Sequence, residues 1–400
     1  MVEIEFNDRV SAMKPSATLA MTARAAQCRA AGRPVIGLSA GEPDFDTPDV
    51  IREAAQRAIA DGFTHYTNNK GTPELRAAIQ DKLARDNGIH VSADDIICSN
   101  GAKQSVAMAV SVLARPGDEV LIPAPYWVSY PEMVRFAGAT PVSIRTTVAS
   151  GYRLTPEQLE ASITPKTRLL ILCSPSNPTG GTYTPEQMEG LAEVLRRHPQ
   201  VYVISDEIYE HIRYGVPHVS MGSLGDMAGR TVTVNGFSKA YAMTGWRLGY
   251  LAAAPEIAKA VGKLQSQLTS APSSISQKAG EAALAMPHSI IDAMVQAFRE
   301  RRDFMLGELS GIEGLACPKP DGAFYLFPEV SSFYGRTSPG GRAISSAEDL
   351  CFYLLEEFDL ALVPGHAFGE PTGLRISYAA SMENLAEAMK RFSSALGALS

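Results

Sequence analysis

Arg168-Leu-Leu-Ile-Leu-Cys173 is followed by a helical stretch from Pro185 to Arg197 and then by Val201-Tyr-Val-Ile-Ser205. Two short apolar runs joined by an amphipathic helix read as a β–α–β unit, whose strands are parallel and covered on both faces. The same texture extends outward in both directions. Residues 95–98 lead to a helix over 102–113, and residues 119–123 read as a buried strand. A helix near 128–137 precedes a strand at 141–144, and Thr231-Val-Thr-Val234 continues the series on the far side. Pro73 stands in the first turn of a helix over 74–86, and Pro185 opens another with Thr184 as N-cap, because a first-turn proline has no amide to leave unpaired. Strands alternating with helices predict an α/β fold with a mostly parallel sheet between helical layers.

Beyond residue 285 this regularity ends. A long helix over 289–309 precedes Gly322-Ala-Phe-Tyr-Leu-Phe327, read as one strand, and a loop rich in Gly, Ser and Pro covers 331–345. A helix, strands at 360–363 and 374–378 and a final helix follow. This is the texture of a smaller α+β unit, and the segment before the regular alternation is expected to pack with it. The expected division is a large domain over 47–288 and a small domain formed by 1–46 and 289–400.

The 400 residues are 45% hydrophobic and 20% charged, the balance of a folded globular protein. A net charge of −7, without long runs of one sign, argues against nucleic acid as the main partner. The cysteines (Cys28, Cys98, Cys173, Cys317, Cys351) are scattered and form no C-x-x-C pair, so neither a disulfide framework nor a zinc site is indicated, and no metal is expected. The amino terminus is polar and acidic, unlike a signal peptide, and no apolar stretch approaches the ~20 residues that span a bilayer. The expectation is a cytoplasmic protein with no membrane partner.

Asn235-Gly-Phe-Ser-Lys-Ala-Tyr-Ala-Met-Thr-Gly-Trp-Arg-Leu-Gly249 carries the chemistry. It places Lys239 just beyond a buried strand among small residues, with Ser238 directly before it and Arg247 further along. Removal from water lowers a lysine's pKa and makes it a competent amine nucleophile and general base. A hydroxyl and a guanidinium beside it suit a phosphate dianion, the arginine through two parallel charge-assisted bonds. A lone lysine would be an ordinary exposed side chain; the whole segment favours the chemical reading.

The segment resembles the lysine signature of the class I aminotransferases, of pyridoxal-5'-phosphate (PLP) fold type I. Lys14-Pro-Ser-Ala-Thr18, Gly41-Glu-Pro-Asp-Phe-Asp-Thr-Pro48, Pro125-Tyr-Trp-Val-Ser-Tyr-Pro131, Ser174-Pro-Ser-Asn-Pro-Thr-Gly180 and Ser205-Asp-Glu-Ile-Tyr-Glu210 extend the resemblance, in order, over the whole chain. They resemble the bacterial aspartate aminotransferase 1b subgroup, which includes enzymes of the aspartate/prephenate type. The resemblance implies a large domain with a mostly parallel seven-stranded sheet plus a smaller α+β domain. It also implies PLP as cofactor, carried by Lys239 as an internal aldimine.

Roles for the other residues follow. Asp206 ends an apolar run, at the carboxyl end where ligands of α/β sheets sit, and a carboxylate there can hold a pyridine nitrogen protonated. Tyr209 resembles the tyrosine that hydrogen-bonds the ring hydroxyl of the cofactor, and Asn177, in a turn set by Pro175 and Pro178, can donate to the same oxygen. Lys239, Asp206 and Tyr209 form the expected catalytic set. In Ser99-Asn-Gly-Ala-Lys-Gln104, between strand and helix, the free amides of a helix start make an anion site, so Gly101, Ala102 and Lys103 are expected to cradle the phosphate with Ser238 and Arg247. The family more often carries two glycines before this lysine, where Gly101-Ala102 stands here. Trp127 resembles the aromatic that stacks on the ring. An arginine interrupting an apolar strand is costly unless an anion meets it, and Arg375 resembles the arginine that grips the substrate α-carboxylate, with Gly41 leaving room for close approach. Tyr66 resembles a tyrosine contributed to the phosphate site of the neighbouring subunit, which implies a homodimer with shared active sites.

The animal-type enzymes bind the distal carboxylate with an arginine of the partner chain; the corresponding stretch, residues 265–272, has none. In the bacterial subgroup the lysine matching Lys103 takes that role, helped by Ser16 and Thr18. The resemblance therefore favours dicarboxylic partners, with L-aspartate as donor and 2-oxoglutarate as acceptor in a ping-pong reaction. Prephenate, aromatic or alanine specificity is the alternative. A PLP lyase or decarboxylase, or a non-catalytic PLP-binding module, stands further off: such modules carry a DNA-binding segment, and neither a helix-turn-helix nor a basic arm precedes residue 40.

Overall fold

The computed structural model describes residues 4–400. After the short strand β1 (Ile36–Gly37), one sheet is built from β2 (Ile96–Ser99), β3 (Glu119–Ala124), β4 (Thr140–Arg145), β5 (Thr167–Cys173), β6 (Tyr202–Asp206), β7 (Thr231–Gly236) and β8 (Gly249–Ala252). Their order is β2-β8-β7-β6-β5-β3-β4. Neighbours from β7 to β4 are parallel, and β8 runs antiparallel to both β2 and β7. The six strands expected from the sequence all form, with ends shifted by a residue or two. The seventh is β8, which the apolar pattern did not single out. Its direction follows from its connection: residues 237–248 hold no helix, and a parallel return would need a crossover, usually helical.

Both faces of the sheet are covered, and the pleat divides each strand between them. Leu169 and Ile171 of β5, with Ile122, Ile204 and Val234, pack under Val106 and Val110 of the helix Ala102–Leu113 and Val261 of the helix Pro255–Leu268. Leu170 and Leu172, with Leu121 and Val203, meet Leu191 and Leu195 of the helix Pro185–Arg197 on the other face. That helix begins as expected: Thr184 Oγ1 accepts from the Gln187 amide while the Gln187 side chain accepts from the Thr184 amide, and Pro185 occupies the first turn.

The smaller unit contains β9 (Tyr325–Leu326), β10 (Leu360–Ala361), β11 (Val363–Pro364) and β12 (Leu374–Ser377). β11, β12 and β9 form an antiparallel sheet, while β10 pairs in parallel with β1, tying the amino-terminal segment to the carboxyl-terminal part of the chain. Two expectations need correction. Only Tyr325 and Leu326 of the run 322–327 are strand, because the amides of Asp321 and Gly322 go to Gly180 O and that of Ala323 to Ile212 O, loops at the edge of the large sheet. The single strand expected at 360–363 is two strands, since its halves pair with different partners. Among the described residues no helix is long and apolar enough to cross a membrane.

Candidate active site

The parallel strands deliver their carboxyl ends to one edge of the sheet, and a cavity of about 400 Å³ opens there, a volume suited to small molecules. Ala102 and Lys103 arrive after β2, Trp127 and Tyr130 after β3, Cys173 and Asn177 at and beyond the end of β5. Asp206 ends β6 with Tyr209 beyond it, and Ser238 and Lys239 follow β7. Because β8 runs the other way, its entry lies at this edge, and Arg247 precedes it. Ser16, Thr18 and Gly41 of the amino-terminal segment and Arg375 of β12 complete the wall.

One corner is built for an anion. Gly101 caps the helix Ala102–Leu113 with φ +86°, and a Cβ on it would lie 2.7 Å from Arg247 Nη2. A Cβ on Gly249 would lie 2.3 Å from the Ala102 amide nitrogen. These two glycines let the helix start, β8 and the Arg247 guanidinium approach one another. Arg247 Nη1 donates to Thr244 O at 2.8 Å, and among the described residues Arg247 pairs with no carboxylate. Lys103 faces the cavity, its Nζ 5.1 Å from the centroid of the Trp127 ring, and burial together with the Arg247 charge lowers its pKa. Free helix amides beside two cations form a cradle for a dianion. Gly101 supplies room there and does not itself line the cavity.

Lys239 and Asp206 share the middle of the cavity wall. Lys239 Nζ donates to Gly41 O at 2.6 Å, and burial brings its pKa down to about 8. Asp206 is buried, which pushes its pKa up to about 6 against the opposing bonds from Tyr130 Oη (2.6 Å to Oδ2) and the Ile208 amide (3.3 Å to Oδ1). Tyr130 was not singled out in the sequence; it belongs to the motif around Trp127, whose ring it meets edge to face at 5.2 Å. Nothing in its local pattern signals a partner on β6.

Arg375 is 2% exposed. Its Nη1 donates to Asn177 Oδ1 at 2.9 Å and its Nη2 to Ser39 O at 2.6 Å, between the rings of Tyr325 and Phe368. Its Nε lacks a partner, and no carboxylate of the described residues pairs with it. Tyr209 Oη shares a 2.8 Å hydrogen bond with Tyr325 Oη, another residue the sequence did not flag. A Cβ on Gly41 would lie 2.9 Å from that Tyr325 hydroxyl. Ser16 lines the cavity while accepting from the Leu19 amide as helix N-cap, and Thr18 lines it from the first turn of that helix.

Tyr66 stands apart, outside the cavity lining and fully exposed. The stretch 265–272 sends no cation to the site; Gln265 is buried and donates to Asn69 O and Cys98 O. A phosphorylated pyridine fits the donor set: an unpaired cationic cradle, a buried carboxylate, and a buried amine of lowered pKa.

The profile described as "Aminotransferase class I and II" matches residues 33–392. A "Bifunctional aspartate aminotransferase and glutamate/aspartate-prephenate aminotransferase" of Petunia hybrida is 53% identical over 399 residues, spanning 99% of this chain and 83% of the relative. An "Aspartate/prephenate aminotransferase" of Cereibacter sphaeroides is 48% identical, spanning 98% and 99%. The crystal structure of an aspartate aminotransferase from Rhizobium meliloti superposes with a TM-score of 0.96 at 46% identity, over all of both chains. That of an aspartate aminotransferase from Thermus thermophilus with maleate gives 0.92 at 41%, over 98% and 100%. The seven-stranded sheet with its smaller α+β unit is the fold type I expected from the sequence.

Proposed function

We propose a donor, an acceptor and a cofactor for this chain, which belongs to the class I and II aminotransferase family and is an aminotransferase. It moves the amino group of L-aspartate to 2-oxoglutarate, using PLP, in two half-reactions of ping-pong type. The observation that carries this reading is a single cavity whose wall holds two arginines without carboxylate partners, Arg247 and Arg375, together with Lys239 and Asp206. Arg247, Ser238 and the amides after Gly101 bind the phosphate. Arg375, with Asn177 and Gly41, binds the substrate α-carboxylate, and Lys103 with Ser16 and Thr18 meets the distal one. Relatives named for aspartate and a neighbour solved with maleate, a four-carbon dicarboxylate, support this choice.

When bound, PLP supplies a carbonyl that amines engage and a protonated ring that withdraws electrons. Lys239, with its pKa near about 8, holds the cofactor and, once free, moves the proton from the substrate Cα as general base. Asp206 holds the proton on the ring nitrogen, and Tyr130 keeps Asp206 ionised and oriented. Tyr209 and Asn177 donate to the ring hydroxyl oxygen, Tyr209 while accepting from Tyr325. Trp127 gives the ring aromatic cover. The large domain spans 47–288 and the small one 1–46 with 289–400, residues 1–3 lying outside the described residues. The active form is a homodimer, a reading supported by the full exposure of Tyr66 in the single chain.

The test is a single half-reaction. Protein loaded with PLP is mixed with aspartate and no oxo acid, and the expected result is loss of the cofactor band, gain of pyridoxamine phosphate and release of oxaloacetate. An unchanged spectrum removes aspartate as donor. Adding 2-oxoglutarate should restore the original band. Prephenate, favoured as a second acceptor by the relatives' names, is tested in the same step.

A further inference from the structure

Along Ser205–Glu210 the side chains divide. Asp206, Ile208 and Tyr209 line the cavity, whereas Glu207 and Glu210 turn away from it into a buried polar network. Lys82, on the helix Pro73–Asn87, donates to Glu210 and, at 2.6 Å, to Asn87 Oδ1. Asn87 Nδ2 donates to Glu210 Oε2 at 2.6 Å and to Glu207 Oε2 at 3.2 Å. Ser220 Oγ donates to Glu207 Oε2 at 2.6 Å, His218 Nε2 lies 2.9 Å from the same oxygen, and Ser205 Oγ donates to Glu207 Oε1 at 2.8 Å. Two separate parts of the chain, with Ser205 of the segment itself, thus clamp the two carboxylates that flank Ile208 and Tyr209, one of them next to Asp206.

Glu207, Glu210 and His218 bring ligand atoms within 4.8 Å of one another, as a divalent cation would require. Lys82 pairs with Glu210, and Asn87, Ser205 and Ser220 donate to the remaining carboxylate oxygens, so both carboxylates have partners without an ion. Replacing such a buried pair by packed apolar residues often leaves a protein as stable or more so, and the best-attested use of buried ionic groups is to specify geometry. Here the geometry specified is that of the segment carrying Asp206 and Tyr209.

We propose that Lys82 and His218 are positioning residues, which act through Glu210 and Glu207 to hold the Asp206 carboxylate and the Tyr209 hydroxyl in register with the cofactor. This rests on the PLP reading above. A misplacement of about 1 Å at a reacting group costs about a hundredfold in rate, so the network matters to turnover while touching neither cofactor nor substrate.

The test uses the full chain with Lys82→Met combined with Glu210→Gln, which removes the pair without stranding a buried charge, and separately His218→Leu and His218→Gln. In the PLP-loaded double variant and His218→Leu, kcat falls about ten- to a hundredfold, the KM for aspartate stays near wild type, and the pH midpoint of the cofactor absorbance moves. His218→Gln, which keeps a donor to Glu207, recovers kcat and midpoint. In the cofactor-free protein, amide exchange at residues 208–210 accelerates in the impaired variants. A lower melting temperature with kcat, midpoint and amide exchange all unchanged overturns the proposal and leaves a purely structural network. If the double variant does not fold, the His218 pair decides alone. Failure of the PLP reading shows separately, as wild-type protein that takes up no PLP, and the amide exchange then still decides whether the network holds the segment.

Discussion

Two charged regions meet along Ser205–Glu210, and they are built on opposite terms. In the network behind the segment, Lys82 faces Glu210 and His218 faces Glu207, and the hydrogen bonds of Asn87 and Ser220 close it. On the cavity wall, Lys239, Arg247 and Arg375 have no carboxylate partner among the described residues. A buried charge is costly unless a countercharge meets it. The framework finds its countercharges within the chain; on the proposed reading, the cavity leaves them to be supplied by a phosphate and a carboxylate. Sites that bind charged ligands commonly give up some stability in this way.

The sharpest way to break this contrast is Lys239→Ala. Turnover of aspartate should fall by about four orders of magnitude or more, while PLP still binds without covalent attachment, as read from its absorbance after dialysis. A variant that turns over normally would sink the assignment. Next come the two buried cations compared on folding. Lys82→Met strands Glu210 and should cost the cofactor-free protein about 3–5 kcal/mol. Arg375→Met removes a cation that has only carbonyl acceptors, so its melting curve should stay within about 1 kcal/mol of wild type. The same Arg375→Met should raise the KM for aspartate by about a hundredfold. Equal melting losses for the two variants would erase the distinction between framework and site.

The smallest effect is one of pH. Asp206 titrates at about 6 in the folded chain, above its ordinary 3.8. Between those values the folded state binds more protons than the unfolded one, so this group makes stability fall as pH rises from about 4 to about 6. Asp206→Asn removes that fall, and melts of the cofactor-free protein across this interval should be flatter than wild type. An unaltered slope would mean the carboxylate is better solvated than its burial indicates.

Much of this was legible in local pattern. The apolar runs of β5 and β6 and the capped helix between them announce a parallel sheet covered on both faces, and the strand ends and the segments after them carry Lys103, Trp127, Asn177, Asp206 and Lys239 to one edge. β8 escaped because four residues before a helix carry no period of their own. The run 322–327 misled because a short apolar run rich in aromatics reads as a strand, whereas the amides at 321–323 are claimed by carbonyls of distant loops.

By itself, then, the order of residues determined most of the strands and helices, the edge where loops gather, and the residue types that wait there, since each depends on periodicity and on neighbours within a few positions. Only the tertiary structure decided which side chains meet. Tyr130 reaches Asp206 from 76 residues away, Tyr209 meets Tyr325 across 116, and Asn177 meets Arg375 across 198. Such contacts arise when packed layers bring separate loops together, and no local pattern records them. The same packing turned Glu207 and Glu210 toward Lys82 and left Arg375 facing the cavity, so burial and partner, rather than residue type, separated the frame from the site.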